Sequence, residues 1–177
     1  MPETAAEILR PWHDFYLLLA TVSATLIGAM FVVASIGSNL LTPKHESGIR
    51  AFLTPTVIHL SVILLAGAMA AMPSLSWRML GNVYGGGSMA GFAYSLLTGW
   101  RVIRRDNIER VDHFWYAALP IAAYAIGIAA TVPMLRGGMP SLDLLAGGVL
   151  LLLIAAIRNS WDMIIFFASR DNLPPSN

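Results

Sequence analysis

Five long apolar stretches, separated by short connections, constrain this chain more than any other feature. They cover residues 15–38, 51–72, 80–100, 114–135 and 143–169. Each is close to the ~20 residues that a helix needs to cross the hydrocarbon core of a bilayer. A helix satisfies its own backbone hydrogen-bonding groups, which lipid cannot do. The sequence therefore predicts an all-α, polytopic membrane bundle with five transmembrane helices.

The composition supports lipid as the medium around most of this chain. Of its 177 residues, 56% are hydrophobic and only 12% are charged, whereas soluble domains are about 25% charged. The short connections leave no segment for a soluble domain, so we predict a single membrane domain over residues 1–177. A net charge of +1 gives no indication of a nucleic-acid partner. The absence of cysteine excludes disulfides and thiolate metal sites.

Lysine and arginine are divided unequally between the two ends of the predicted bundle. One end carries three, Arg10, Arg78 and Arg136, and the other carries seven, Lys44, Arg50, Arg101, Arg104, Arg105, Arg110 and Arg170. Because basic connections stay in the cytoplasm, this asymmetry predicts an outer amino terminus and a cytoplasmic carboxyl terminus. Four of the basic residues are also candidate contacts for anionic lipid headgroups, namely Arg50, Arg101, Arg104 and Arg105.

The third apolar stretch is the least typical of a membrane span. It holds six glycines in twenty-one residues, together with Asn82. Glycine costs a helix about 1 kcal/mol per position relative to alanine. The spacings Gly81–Gly85 and Gly87–Gly91 nevertheless allow two backbones to approach closely, as helix interfaces in membranes often require. We predict that these glycines pack against neighbouring helices of the same chain; a subunit interface and a broken helix beside a cavity are the alternatives.

A polar cluster interrupts the fifth apolar stretch at Arg158, Asn159 and Asp162. Arg158 and Asp162 are four residues apart, so they share one face of a helix. An unpaired charge at the centre of a bilayer costs at least about 2.5–3.5 kcal/mol, which pairing reduces. In a helix that starts at Leu142, Arg158 lies about 24 Å along the axis and therefore in the cytoplasmic quarter of the ~30 Å core.

His59 is the second buried ionisable candidate. Its depth depends on Pro55, which either starts the second helix after a Thr54 cap or lies inside a helix that begins near Ala51. In both cases His59 shares a leaflet with Asp162, so the two side chains are predicted as possible partners. The polar cluster of His59, Arg158, Asn159 and Asp162 then has three interpretations. It is a clasp that holds helices together, it is a proton or ion relay, or Arg158 binds an anionic lipid headgroup together with Arg50 and the loop at 101–110.

Other chemistry has little support in the sequence. A bis-histidine haem site would need His59 and His113 at one depth, but His113 lies at the predicted membrane edge. The motifs CxxCH, HExxH and GxSxG are absent. We therefore predict no catalytic residues, no metal site and no cofactor.

Several segments resemble a family of small, uncharacterised bacterial integral membrane proteins. They are "IRAFLTPTVIHL" (49–60), the third stretch through Gly91 and Tyr94, "FWYAALPIAAYAI" (114–126) and "IRNSWD" (157–162). The motifs RAFxTPTxxH and RNxWD carry the resemblance, which covers most of the chain from the first apolar stretch to Asp162. It implies a multi-pass bundle in the bacterial inner (plasma) membrane and supplies no catalytic residues.

Two functions are compatible with these observations. The first is a non-enzymatic structural or accessory membrane protein, with a partner in a membrane complex or in a homo-oligomer. The second is a small oligomeric channel or proton-coupled transporter that uses His59 and Asp162. We expect the first, in which the polar cluster is a clasp.

Overall fold

The computed structural model describes residues 7, 9–37, 43–72, 74, 76–103, 114–136 and 141–170. After a short 3-10 turn, Arg10–Trp12, the long helices are α1 (His13–Gly37), α2 (Pro43–Ala70), α3 (Trp77–Ile103), α4 (Leu119–Leu135) and α5 (Leu142–Arg170). A π-helical segment, Phe114–Ala118, leads directly into α4. The described residues contain no strand, so the prediction of an all-α fold is confirmed.

Four of these helices are long and apolar enough to cross a membrane. The four segments are Arg10–Ile36, Leu53–Ala70, Phe114–Met134 and Leu142–Ile165. Helix α3 is continuous over 27 residues but is not among them. Its six glycines, together with Asn82 and two serines, lower its hydropathy. Length and composition therefore give four candidate membrane spans, and α3 is not one of them.

Helix α2 is longer than the sequence predicted. It begins at Pro43 rather than at residue 51, and Pro55 lies inside it. A proline inside a helix removes one backbone hydrogen bond. Membrane helices tolerate this loss because neighbouring groups can satisfy the backbone oxygen that is left free. His59 is consequently sixteen residues, or about 24 Å, from the start of the helix. Of the two predicted starts, the earlier one, with Pro55 inside the helix, is correct. The connection between α1 and α2 is shorter than predicted, because residues 43–50 belong to α2.

The helices alternate in direction between two ends of the bundle. We call the end where α1, α3 and α5 begin the amino-terminal end, and the end where α2 and the π-helical segment begin the carboxyl-terminal end. Helix α1 packs mainly on α2, α2 also packs on α5, α5 packs on α4, and α4 packs on α3. Helices α2, α4 and α5 therefore form the centre, and α1 and α3 flank them.

The glycines of α3 form a close antiparallel contact with α4. A Cβ atom at Gly85 would lie 3.1 Å from Oγ1 of Thr131, and one at Gly99 would lie 3.0 Å from Cβ of Ala117. Between them, a Cβ at Gly91 would overlap the ring of Tyr124. Since residue numbers rise on α3 as they fall on α4, the two helices run side by side over about 21 Å.

The predicted packing role of the four glycines needs one correction. Gly81, Gly85 and Gly91 are buried, whereas Gly87 is exposed and a Cβ there would meet nothing within 4 Å. Each residue turns about 100° around the helix axis, so Gly87 points away from the face that its neighbour Ser88 presents to α4. Ser88 is buried, and its Oγ approaches Gly127 on α4. The packing face therefore includes Ser88 and Gly99 in place of Gly87.

Candidate functional site

The charges of α5 are held by a residue from another helical segment. Nη1 of Arg158 donates to Oδ1 of Asp162 at 2.5 Å, and the hydroxyl of Tyr116 donates to Oδ2 of the same carboxylate at 2.6 Å. Tyr116 belongs to the π-helical segment before α4. We call Arg158, Asp162 and Tyr116 the Asp162 clasp. Both carboxylate oxygens have a donor, so the clasp joins α5 to the start of α4.

The clasp lies at the edge of the protein interior. The side chains of Arg158 and Asp162 are 37% and 24% exposed, and the neighbouring Trp161 is 57% exposed. Arg158 is sixteen residues beyond Leu142, which places the clasp close to the carboxyl-terminal end of the bundle. An arginine at this depth extends its guanidinium toward the headgroups while its methylene groups stay among apolar atoms. The predicted pairing of Arg158 with Asp162 is thus present, and Tyr116 is its third member.

His59 has a different partner from the one considered in the sequence. Its Nδ1 and the hydroxyl of Tyr124 are hydrogen-bonded at 2.9 Å, and the tautomer of the imidazole decides which group donates. Both side chains are only 2% exposed, and their ring centroids are 5.6 Å apart. This His59–Tyr124 pair joins α2 to α4. It lies in the main cluster of buried residues, next to Leu60, which has no exposed surface.

The structure therefore contains two separate polar groups rather than one. Asp162 is bonded to Arg158 and Tyr116, while His59 is bonded to Tyr124, and the described residues show no hydrogen bond between His59 and Asp162. The prediction from membrane depth failed because depth does not specify which helices are neighbours. Tyr116 was missed because the aromatic run at 114–116 is typical of a membrane interface.

Asn159 follows Arg158 on α5, but it belongs neither to the Asp162 clasp nor to the His59–Tyr124 pair. It is 3% exposed, and its Oδ1 has no hydrogen-bond partner among the described residues. A buried amide oxygen without a donor costs about 1–3 kcal/mol. Two further hydroxyl side chains are buried near the carboxyl-terminal end of the bundle, Thr56 on α2 and Ser160 on α5. Ser160 donates to the backbone oxygen of Ala156 within its own helix.

Tyr124 is positioned by a glycine, which gives a test with a matched control. We expect Gly91→Ala to destabilise the bundle by about 1–2 kcal/mol, because the ring of Tyr124 must move to admit a methyl group. Gly87→Ala makes the same change in open space and should be neutral or stabilising, since alanine favours a helix by about 1 kcal/mol. Unfolding in mixed micelles measures both. Equal effects at the two positions would contradict the packing described above.

The remaining predicted site residues are only partly described. Arg50 and Arg101 belong to α2 and α3, but the positions of their side chains are outside the described part of the structure, as are Arg104 and Arg105 entirely. Among the described residues, no three His, Asp or Glu side chains come together as a metal ion would require.

Comparison with known proteins yields no relative. No family model, no curated protein and no solved structure matches this chain. The resemblance of the RAFxTPTxxH and RNxWD motifs to a family of bacterial membrane proteins therefore stays a prediction.

Proposed function

We propose that this protein is a non-enzymatic, structural or accessory component of the bacterial inner membrane, and that the Asp162 clasp maintains its form. The observation that carries the proposal is the pair of hydrogen bonds from Arg158 and Tyr116 to one carboxylate. These bonds use the charges of α5 to fix one helix against another. Both polar groups of the interior, the clasp and the His59–Tyr124 pair, connect two different helical segments.

The contact of α3 with α4 supports a fifth crossing of the membrane. The two helices run antiparallel from Gly85 to Gly99, and α4 is among the apolar helices that meet the criteria for a span. A helix in contact with a span over about 21 Å covers most of the same ~30 Å hydrocarbon core. Five crossings place the two ends of the chain on opposite sides. The excess of Lys and Arg at the carboxyl-terminal end then favours a cytoplasmic carboxyl terminus.

The partners that this role implies are lipid and other membrane proteins. The basic residues Arg50, Arg101, Arg104 and Arg105 belong to the end assigned to the cytoplasm, where anionic headgroups attract them by about 1 kcal/mol each. The outward face of α3 includes Asn82, Gly86 and Gly87, all exposed. The exposed surface of α3 also carries Met89 and Leu97, which suit lipid, while its small residues would let a second copy or a membrane-complex partner approach closely.

The clasp is tested most simply by removing one hydroxyl. We expect Tyr116→Phe to lower the free energy of unfolding by about 1.5–3 kcal/mol, the range for a hydrogen bond to a charged group. The abundance of the variant in membranes should fall as well, because destabilised proteins are degraded. Thr25→Val removes a hydroxyl from the exposed surface of α1, where it donates to the backbone of its own helix, and should have a smaller effect. A Tyr116→Phe protein as stable and abundant as the wild type would refute the proposed role of the clasp.

A further inference from the structure

A cleft opens at the amino-terminal end of the bundle, between the first residues of the described chain and the end of α2. Its volume is about 440 Å³, which is within the range of sites that hold a small molecule, roughly 300–1,000 Å³. Most of its lining is apolar and comes from Leu9, Ala70, Ala71 and Met72. The remainder is polar, so the cleft suits a molecule that has both an apolar and a charged part.

The inner side of this cleft is built into the folded core. Leu9 and Ala70 are 5% and 9% exposed, and both belong to a cluster of buried residues that includes Leu80. The last turn of α2 continues as far as Met72, whose backbone N–H donates to the backbone oxygen of Met69 at 3.0 Å. The side chain of Met72 is 45% exposed. The cleft therefore has a fixed apolar inner side and an open rim.

The cleft lies where two candidate membrane spans end. The first of these spans begins at Arg10, and the second finishes at Ala70. Because an apolar span ends at the boundary between the hydrocarbon core and the headgroups, residues on both sides of the cleft are at the depth of the phospholipid headgroups. The cleft is therefore accessible to the headgroup and the glycerol region of a phospholipid.

The polar part of the lining carries two opposite charges, those of Arg10 and Glu7. Arg10 is exposed, and none of the described carboxylates is ion-paired with it. The nearby carboxylate of Asp14 is hydrogen-bonded to Nδ1 of His13 at 3.2 Å. A guanidinium binds a phosphate through up to two parallel hydrogen bonds, and a carboxylate accepts hydrogen bonds from an ammonium group. The two charges of the cleft thus match the two charges of a zwitterionic headgroup.

We propose that this cleft binds the headgroup of a zwitterionic phospholipid with a primary ammonium group, as in phosphatidylethanolamine. Arg10 binds the phosphate, Glu7 accepts hydrogen bonds from the ammonium group, and the glycerol region packs against Leu9 and Met72. A trimethylammonium headgroup has no N–H to donate to Glu7, and a headgroup whose only charge is its phosphate offers Glu7 no cation. The depth of the cleft rests on the membrane placement proposed above, whereas the lipid preference does not depend on the Asp162 clasp.

Competition between lipids for the full-length protein tests this preference. The purified protein is equilibrated in micelles with equal amounts of phosphatidylethanolamine, phosphatidylcholine and phosphatidylglycerol that have identical acyl chains. Native mass spectrometry then counts the lipids that the protein retains. We expect the wild type to retain phosphatidylethanolamine about three- to fivefold more than either of the other lipids, which is the upper effect of one solvent-exposed charge pair.

Substitutions in the lining separate the roles of the two charges. Glu7→Gln should lower the retention of phosphatidylethanolamine to that of phosphatidylcholine and should not lower that of phosphatidylglycerol. Arg10→Gln should lower the retention of all three lipids, because each contains a phosphate, and Ala71→Trp should do the same by filling the cleft. Arg78→Gln is the matched control, since Arg78 is an exposed arginine at the same end that does not line the cleft. It should keep the wild-type retention.

Three results would overturn the proposal. The first is equal retention of phosphatidylethanolamine and phosphatidylcholine by the wild type, and the second is an unchanged preference in Glu7→Gln. The third is the same loss in Arg78→Gln as in Arg10→Gln, which would show that lipid responds to any arginine at this end. All four substituted residues are exposed, so the variants should remain folded. None of these results affects the clasp, because Tyr116→Phe tests the clasp through unfolding rather than through lipid retention.

Discussion

Asp162→Ala is expected to destabilise the bundle by about 2–3 kcal/mol, less than the roughly 3–5 kcal/mol found when one partner of a fully buried ion pair is removed, because the side chains of Arg158 and Asp162 are 37% and 24% exposed. The change leaves the guanidinium of Arg158 without its partner and the hydroxyl of Tyr116 without its acceptor. The measurement is the free energy of unfolding from denaturation by SDS in mixed micelles.

A double replacement shows how much of this cost comes from leaving the charge of Arg158 without a partner. Arg158→Met combined with Asp162→Leu removes both charges and keeps the side-chain volume, and such exchanges are often neutral. We expect the double variant to be more stable than Asp162→Ala, with only the hydroxyl of Tyr116 left unbonded. Asp14→Ala provides the control for an exposed contact of a carboxylate, that with Nδ1 of His13, and should have a much smaller effect. The clasp would lose its structural role if Asp162→Ala behaved like Asp14→Ala.

Gly67→Ala is expected to cost about 3 kcal/mol, because α1 approaches α2 most closely at this glycine. A Cβ at residue 67 would lie 2.5 Å from the backbone oxygen of Tyr16 and 2.7 Å from Cβ of Ala20. Backbone atoms cannot move aside as a flexible side chain can, so the two helices must separate. This places the cost at the upper end of the usual range of 1–3 kcal/mol for overpacking.

Gly28→Ala is the matched control on α1. A Cβ at this position would meet nothing within 4 Å. The substitution should therefore be neutral or slightly stabilising, because alanine favours the helical conformation. We therefore expect the same substitution, glycine to alanine, to lower the free energy of unfolding at residue 67 and to leave it unchanged or raise it slightly at residue 28. Similar free energies of unfolding for Gly67→Ala and Gly28→Ala would contradict the close contact between α1 and α2.

The helices themselves were predictable because each long apolar stretch has few alternatives in lipid. The ends were less predictable where polar residues continue a helix, as in α2, which starts eight residues before the predicted position because residues 43–50 are helical as well. Hydropathy does not predict this extension of α2, because residues 43–50 are largely polar. The sequence predicted α3 as a span, whereas its length and hydropathy do not place it among the candidate spans, because its six glycines lower its hydropathy.

The candidate site was predictable to the extent that it is local. Arg158 and Asp162 are one turn apart, so the helical period alone predicts their ion pair. The partners Tyr116 and Tyr124 come from elsewhere in the chain, and only the packing of α4 on α2 and α5 brings them into place. The pairing of His59 with Asp162 relied on shared depth, which is a weaker constraint than adjacency. Glycine spacing similarly indicated close packing but assigned Gly87 to the wrong face.

The proposed role depends on a chain that crosses the membrane five times, and single-cysteine labelling tests this most directly. Cysteine is placed at residues 7, 74 and 141 for the amino-terminal end, and at residues 39, 107 and 176 for the other end. Intact cells are then treated with a maleimide that cannot cross the membrane. We predict labelling at 7, 74 and 141 in intact cells, and at 39, 107 and 176 only after lysis. Labelling of residues 74 and 107 from the same side would show that α3 does not cross, and would contradict the account.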